Sequence, residues 1–323
     1  MRILPGFRTR LAALLLALLP VAAFAQDEVL VRWLGVAGFS ITAGDTTLLH
    51  DPYLSRPSLW KTATSWYEPD EAVLEPLFSP GSPAPELAHA RAIWIGHSHF
   101  DHLGDAAWIA RRTGARLYGS QTTLSIAQAY GLDPAQTERV DPGHSREIGP
   151  FSIRVIRSLH AAVLFGQVPL EGTYEKPPEA PLHALSFRLG DARLYLVEHM
   201  PSHVQILITS SAAVDSASLY ELRQENLAVD VLLAATQGRD ATYARALVST
   251  FHPRLVVPHH YESLFVPLSS PDAVAPSDPE DLAAFEQEIR DAAAAENVAV
   301  EVRRLGLFES LRLPAHASAA AGA

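Results

Sequence analysis

Between positions 97 and 102 the chain reads His-Ser-His-Phe-Asp-His, three imidazoles and one carboxylate within six residues. Side chains two apart in an extended segment point the same way, so His97 and His99 can grip one cation together. Asp101 and His102 follow on the turn and can face a second cation a few ångströms away. Neutral imidazole with carboxylate, and no thiolate, suits zinc, iron or manganese. The spacing is far more restrictive than histidine richness alone, which sets it apart from a solvated polar turn.

Something must hold such a run in place. Upstream lies Arg91-Ala-Ile-Trp-Ile-Gly96, a short apolar strand; downstream Leu103-Gly104-Asp105 opens a helix over 106–112 with Asp105 as its N-cap. Ligands at the C-terminal end of a buried strand are placed for an open, catalytic site. Before this, Val29–Leu34, Phe39–Ile41 and Thr46–His50 read as a meander of short strands ending at Asp51-Pro52. Residues 53–90, rich in proline with Trp60, Trp66 and Tyr67, read as an irregular surface excursion.

Further on, Arg116–Tyr118 reads as a strand and Ser120 caps a helix to about Tyr130, stopped by Gly131. Phe151–Ser158 is a strand that delivers His160. A loop over 161–181 leads to a second meander at 184–189, 193–197 and 204–209. A helix over 217–225, a buried strand at 229–234, a helix over 241–251 and a strand at 254–257 lead into Pro258-His259-His260-Tyr261. Ser277-Asp-Pro-Glu280 reads as a capping box that starts a helix to about Glu296. Strands at 298–303 and 307–313 close the pattern. Strands followed by alternating helices and strands, then the same theme again, imply two sheets stacked face to face with helices outside, a four-layer α/β sandwich.

The first 25 residues carry Arg2, Arg8 and Arg10, an apolar run over 11–22 and Ala23-Phe24-Ala25. This is the pattern of a secretory signal peptide, cleaved before Gln26, and it implies export to the periplasm or beyond. No other segment is apolar and long enough to cross a bilayer. Without the leader the chain keeps 22 basic and 36 acidic residues, a formal net charge of −14 against −11 for the whole sequence. That balance speaks against a nucleic-acid partner and for neutral or cationic small molecules. An exported chain with no cysteine relies on its core and has no thiolate for a metal. The organisation is then a leader (1–25), one domain (26–314) and a loose Ala-rich tail (315–323). Nothing in the sequence bears on oligomeric state.

His-x-His-x-Asp-His, with His160 at a strand end and a late histidine, resembles the metallo-β-lactamase fold superfamily over nearly the whole mature chain. Trp33-Leu-Gly-Val-Ala-Gly-Phe-Ser-Ile41, Leu49-His-Asp-Pro52 and Val257-Pro-His-His-Tyr261 resemble a branch of stand-alone hydrolases similar to ascorbate-phosphate lactonase-like and N-acyl-phosphatidylethanolamine phospholipase D-like proteins. The resemblance implies the αββα sandwich of that family and one or two zinc ions, with iron or manganese as alternatives. His97, His99 and His160 would hold the first metal; Asp101, His102 and His260 the second. His260 is favoured over its neighbour His259 because the family pattern puts the ligand directly before the aromatic residue. Asp51, at the family's Asp-Pro position, would orient a ligand histidine.

One departure stands out. Most two-metal relatives carry a bridging aspartate after the second meander, where this chain has Thr209-Ser210-Ser211-Ala212. Ser210 in that place removes an anionic bridge and weighs more on the second metal than on the first. Glu198 and Asp215 are the nearest substitute carboxylates. His89, His144, His183, His203, His252 and His316 have no matching context. The implied chemistry is attack by a metal-activated water on a small ester, lactone or phosphodiester, with Asp101 orienting the water or taking its proton. Tyr174 and Tyr261 would line the pocket. Two other readings follow from the same residues: a secreted metal- or ligand-binding protein without turnover, and a β-lactam hydrolase.

Overall fold

The computed structural model describes residues 28–163 and 165–315. The expected leader with its cleavage before Gln26, and the expected loose tail from residue 316, lie outside the described residues.

The chain opens with three antiparallel strands, β1 (Val29–Gly35), β2 (Gly38–Ala43) and β3 (Thr46–His50). Two short helices follow, α1 (Leu59–Thr64) and α2 (Glu71–Leu77). Then come β4 (Ala90–Trp94), α3 (Phe100–Leu103), α4 (Ala106–Thr113), β5 (Arg116–Gly119), α5 (Gln121–Ala129) and β6 (Thr137–Arg139). The second half repeats the theme with β7 (Ser145–Ile148), β8 (Phe151–Leu159), β9 (Arg193–His199), β10 (Val204–Thr209) and β11 (Ala213–Val214). It continues through α6 (Ser216–Arg223), β12 (Val231–Ala235), α7 (Tyr243–Phe251), β13 (Leu255–His259), α8 (Pro279–Ala295) and β14 (Glu301–Val302). Finally β15 (Ser310–Leu313) returns to pair with β1.

The strands form a seven-stranded sheet, β15-β1-β2-β3-β4-β5-β6, and an eight-stranded one, β11-β8-β9-β10-β12-β13-β14, with β7 on β8. Each sheet is antiparallel on one side and parallel on the other. Alternation along the strands makes the layers. Trp94 and Tyr195 enter the core between the sheets, whereas their neighbours Ile93 and Leu194 face helices. Leu49, Ile93 and Leu117 pack on the α4 side; Leu194, Leu207 and Leu232 pack on α6, α7 and α8. Three apolar cores between four layers give the αββα sandwich.

Three local expectations are corrected and a fourth is refined. Residues 53–90 are not a loose excursion: Tyr67, Leu74, Leu77, Phe78 and Leu87 are buried in the same core as α4. The apolar positions Leu74 and Leu77 are three apart, on one face of α2, which is why the segment is helical. Residues 184–189 do not make a strand. Ala184 and Phe187 are buried while Leu185 is 56% exposed, a period of three that matches a 3₁₀ turn. Asp105 stands at the N-cap of α4 as expected, but its side chain makes no cap bond; the carboxylate accepts from Leu54 N, Ser55 N and Oγ, and Tyr67 OH at 2.6–3.0 Å, pinning the 53–67 segment. The cap of α8 is Asp278, not Ser277; it accepts from Glu280 N and Asp281 N.

Candidate metal centre

Every candidate ligand sits at or just beyond the C-terminal end of a strand, where open α/β sheets place their ligands. β3 ends in His50 and hands over to Asp51, β4 leads to His97, β8 to His160, β10 to Ser210 and β13 to His260. His97 is anchored through the residue before it: Gly96 N donates to Asp51 Oδ1 at 2.7 Å, and Gly96 O accepts from Arg193 N at 2.9 Å. Gly96 has to be glycine, because a Cβ there would lie 1.6 Å from Ser210 Oγ. His99 is the N-cap residue of α3 without a side-chain cap bond, and Asp101 and His102 lie in that single helical turn.

Two trios result. His97, His99 and His160 bring their rings together with centroids 4.6–4.8 Å apart. Asp101 Oδ2 lies 3.2 Å from His260 Nε2 and 3.4 Å from His102 Nε2, and the two imidazole nitrogens are 3.4 Å apart. A zinc ion with nitrogen and oxygen ligands at tetrahedral positions needs donor atoms about 3.3–3.6 Å apart, so the second triangle is close to the size of the ion. In each trio all donor atoms lie within 4.8 Å of one another. The His97 and His102 rings are 3.8 Å apart and join the two.

The donor chemistry fits a metal. Both ring nitrogens of His97, and Nε2 of His99, are buried with no hydrogen-bond partner among the described residues, an arrangement that is costly unless something binds there. The far nitrogens of His99, His160 and His102 are held. His99 bonds the Pro169 carbonyl, His160 Nδ1 meets Ala161 O at 2.7 Å, and His102 Nδ1 meets Asp51 Oδ2 at 2.7 Å. Orienting a ligand ring through its far nitrogen is the usual support for metal histidines.

Charge divides the trios. Burial, then the imidazoles around it, holds His97 well below its ordinary value. Burial lowers His99 to about 3 and His160 to about 4. All three are neutral, the ligating form. Burial also presses His102 down, but Asp101 and Asp51 outweigh it and push it up to about 10. Burial would raise Asp101, yet His102 and His260 beside it hold it well below the usual carboxylate range. The second trio thus favours positive charge even before a metal is considered.

The other candidates fall into place around this pair. His259, the last residue of β13, is fully buried with its ring 5.1 Å edge-on to Phe39, away from both trios. His260 lies past the strand at φ +58, so a left-handed residue rather than strand alternation separates the two neighbours. Ser210 Oγ bonds His50 Nε2 at 3.0 Å, and His50 Nδ1 meets Ala37 O at 3.1 Å. Neither substitute carboxylate takes the place of the bridging aspartate: Glu198 pairs with exposed His203, and Asp215 caps α6. The two tyrosines differ in burial. Tyr261 is buried between the sheets with its ring 5.5 Å from Trp33, and Tyr174 OH donates to Ser186 O at 3.0 Å.

No role is expected of Ser211 or His50 from the sequence. Ser211 Oγ accepts from Ala161 N at 2.9 Å, supporting the peptide that orients His160. The usable signal was the pair of small polar residues directly after an apolar strand.

Comparison with known proteins agrees with this geometry. Residues 86–216 match the metallo-beta-lactamase superfamily model. A UPF0173 metal-dependent hydrolase of Anaeromyxobacter dehalogenans is 30% identical over 260 residues, covering 78% of this chain and 81% of that protein. One from Pyrobaculum arsenaticum is 28% identical over 236 residues, 72% and 84% of the two chains. Among solved structures, Igni18, a metallo hydrolase from Ignicoccus hospitalis, aligns with a TM-score of 0.53 at 18% identity over 88% of this chain and 98% of its own. CmlA, a diiron β-hydroxylase from Streptomyces venezuelae, reaches 0.59 at 14% identity over 90% and 55%; at such identities the two share the fold. With a relative matched at that identity over four-fifths of its length, and the histidine–aspartate cluster of the superfamily assembled at the strand ends, the chain belongs to the UPF0173 metal-dependent hydrolases of the metallo-beta-lactamase superfamily.

Proposed function

We propose that this hydrolase is exported and cleaves a small ester, lactone or phosphodiester at a zinc centre held by His97, His99 and His160 on one side and Asp101, His102 and His260 on the other. The observation that supports it most is the convergence of these six side chains, drawn from three separate parts of the chain, onto two adjacent points. Zinc bound there supplies Lewis acidity, lowering the pKa of a water and polarising the scissile oxygen. The protein does the rest. Neutral His97, His99 and His160 present nitrogens without needing to lose a proton. Asp51 keeps the His102 ring turned toward the site through Nδ1. Asp101 orients the attacking water and accepts its proton. The acidic chain, net −14 without the leader (22 basic against 36 acidic residues), suits neutral or cationic substrates better than polyanions.

A test uses purified protein loaded with zinc and a panel of chromogenic esters, lactones, bis-p-nitrophenyl phosphate and nitrocefin. Turnover of one of the first three classes is expected, abolished by Asp101→Asn with folding intact. Hydrolysis of nitrocefin alone would make the protein a β-lactam hydrolase. The serine at the bridging position favours a second reading, a zinc- or ligand-binding protein without turnover; zinc bound with every substrate untouched would establish that one. Export is checked by N-terminal sequencing of the protein from a periplasmic fraction, with Gln26 expected first.

A further inference from the structure

Arg56 and Glu262 form an ion pair, Nη2 to Oε1 at 3.1 Å, with both side chains fully buried. A buried pair is weak evidence for stability, since removing two ions from water opposes their attraction. This one is not even fully satisfied: Arg56 Nε and Glu262 Oε2 have no partner among the described residues. Its other bonds point elsewhere. Arg56 Nη1 donates to Ala273 O at 2.7 Å, and Glu262 Oε1 accepts from Val36 N. The carbonyl of the same Val36 accepts from His260 N at 3.1 Å. A continuous path therefore runs from Arg56 through Glu262 and the Val36 residue to the backbone of His260.

That path matters because His260, like His97, lacks what the other three imidazoles of the centre have. His99, His102 and His160 are each oriented through the ring nitrogen away from the site. Nδ1 of His260 is buried with no partner among the described residues. Its direction must come from the backbone, and the backbone is in an unusual state. His260, Val36 and Arg56 all have positive φ, at +58, +50 and +40. For β-branched Val36 this is a conformation adopted only where surroundings impose it. Gly35 lets the guanidinium sit against the chain, since a Cβ there would lie 1.8 Å from Arg56 Nη2.

We infer that the Arg56–Glu262 pair is a positioning device: it clamps the β1–β2 turn so that Val36 fixes His260 toward Asp101 and His102. The inference rests on the metal-centre reading above. Neither residue belongs to either trio.

The test replaces the pair by apolar residues, Arg56→Met with Glu262→Met, and compares zinc content and chelator-competition affinity with wild type and with His260→Ala. A folded double variant is expected to lose the same zinc that His260→Ala loses, or to bind it about 10–100-fold more weakly. The other zinc should stay. Glu262→Gln, which keeps an acceptor for Val36 N, is expected to retain zinc even though its melting temperature falls. A folded Met/Met variant with wild-type zinc content and affinity would overturn the inference alone. So would a folded Glu262→Gln variant that behaves like His260→Ala. Wild-type protein that binds no zinc would defeat the metal-centre reading and this inference with it, so the two failures are distinct.

Discussion

The two trios would hold a metal ion by opposite means. His97, His99 and His160 offer three imidazoles that burial keeps neutral, and no anion. Asp101, His102 and His260 include one carboxylate, and Asp51 braces them with a second. The first set would attract a cation through buried, unpartnered nitrogens, the second through charge. A bridging carboxylate would have blurred this contrast by serving both sets. With Ser210 in its place, bonded to His50 instead, the trios stand apart electrostatically. The first should respond mainly to loss of donors and the second mainly to loss of charge.

The largest effect is expected where donors are removed outright. Replacing His97 and His99 together by Ala leaves one ligand of the first trio, and kcat/KM should drop by at least about 10³-fold. Zinc analysis should show one ion lost and the Asp101 trio still loaded. Loss of both ions would mean that the trios are a single cooperative site, and the comparison would fail.

Asp51→Asn comes next. It preserves shape but takes away the charge that acts on His102 Nδ1 from 2.7 Å. Zinc affinity of the second trio should fall by about 10–100-fold, read by chelator competition, with the first trio unmoved. An equal loss at both would show that Asp51 acts through Gly96 N, which it also holds, and therefore through His97.

Ser210→Ala separates support from ligation. It leaves His50 Nε2 without its 3.0 Å partner in a buried setting, which should lower stability by about 1–3 kcal/mol in urea unfolding. Zinc content should not change, because Ser210 is bonded to His50 and belongs to neither trio. A lost zinc with unchanged unfolding would make Ser210 a direct participant.

What could be read in the sequence follows from the range of each contact. His97 to His102 was legible because its pattern is local and strand alternation converts spacing into direction. The strands were legible from period-two apolar residues such as Val29, Val31 and Trp33. His160 and His260 came only through resemblance, since nothing in residues 160 or 260 alone marks a ligand. Asp51 stood out as a carboxylate ending an apolar strand. Arg56 with Glu262 was invisible: two charged residues 206 positions apart meet in the interior, and no local pattern signals burial of a charge. The 53–90 segment was misjudged because α1 and α2 are only six and seven residues long, and Pro76 sits inside α2. Helices that short take their stability from packing, as α2 does through Leu74 and Leu77 in the core it shares with α4, not from their own sequence.

The smallest effect should come from Ser211→Ala, and it probes the first trio where it is least braced. Ser211 Oγ accepts from Ala161 N at 2.9 Å, and the carbonyl of the same residue holds His160 Nδ1 at 2.7 Å. The residues next in line, Ala162 and Val163, are exposed, so without Ser211 the peptide can shift toward solvent. It then regains a hydrogen bond from water, and only part of the original bond's contribution is lost. A net hydrogen bond is worth about 0.5–1.5 kcal/mol, which sets a ceiling of about threefold to tenfold on the loss of zinc affinity. That loss should fall on the His97 trio alone, with the Asp101 trio and the unfolding midpoint close to wild type. A matching loss at the Asp101 trio would show that the two adjacent serines hold the centre as one unit, and the division into a donor-built and a charge-built half would have to be given up.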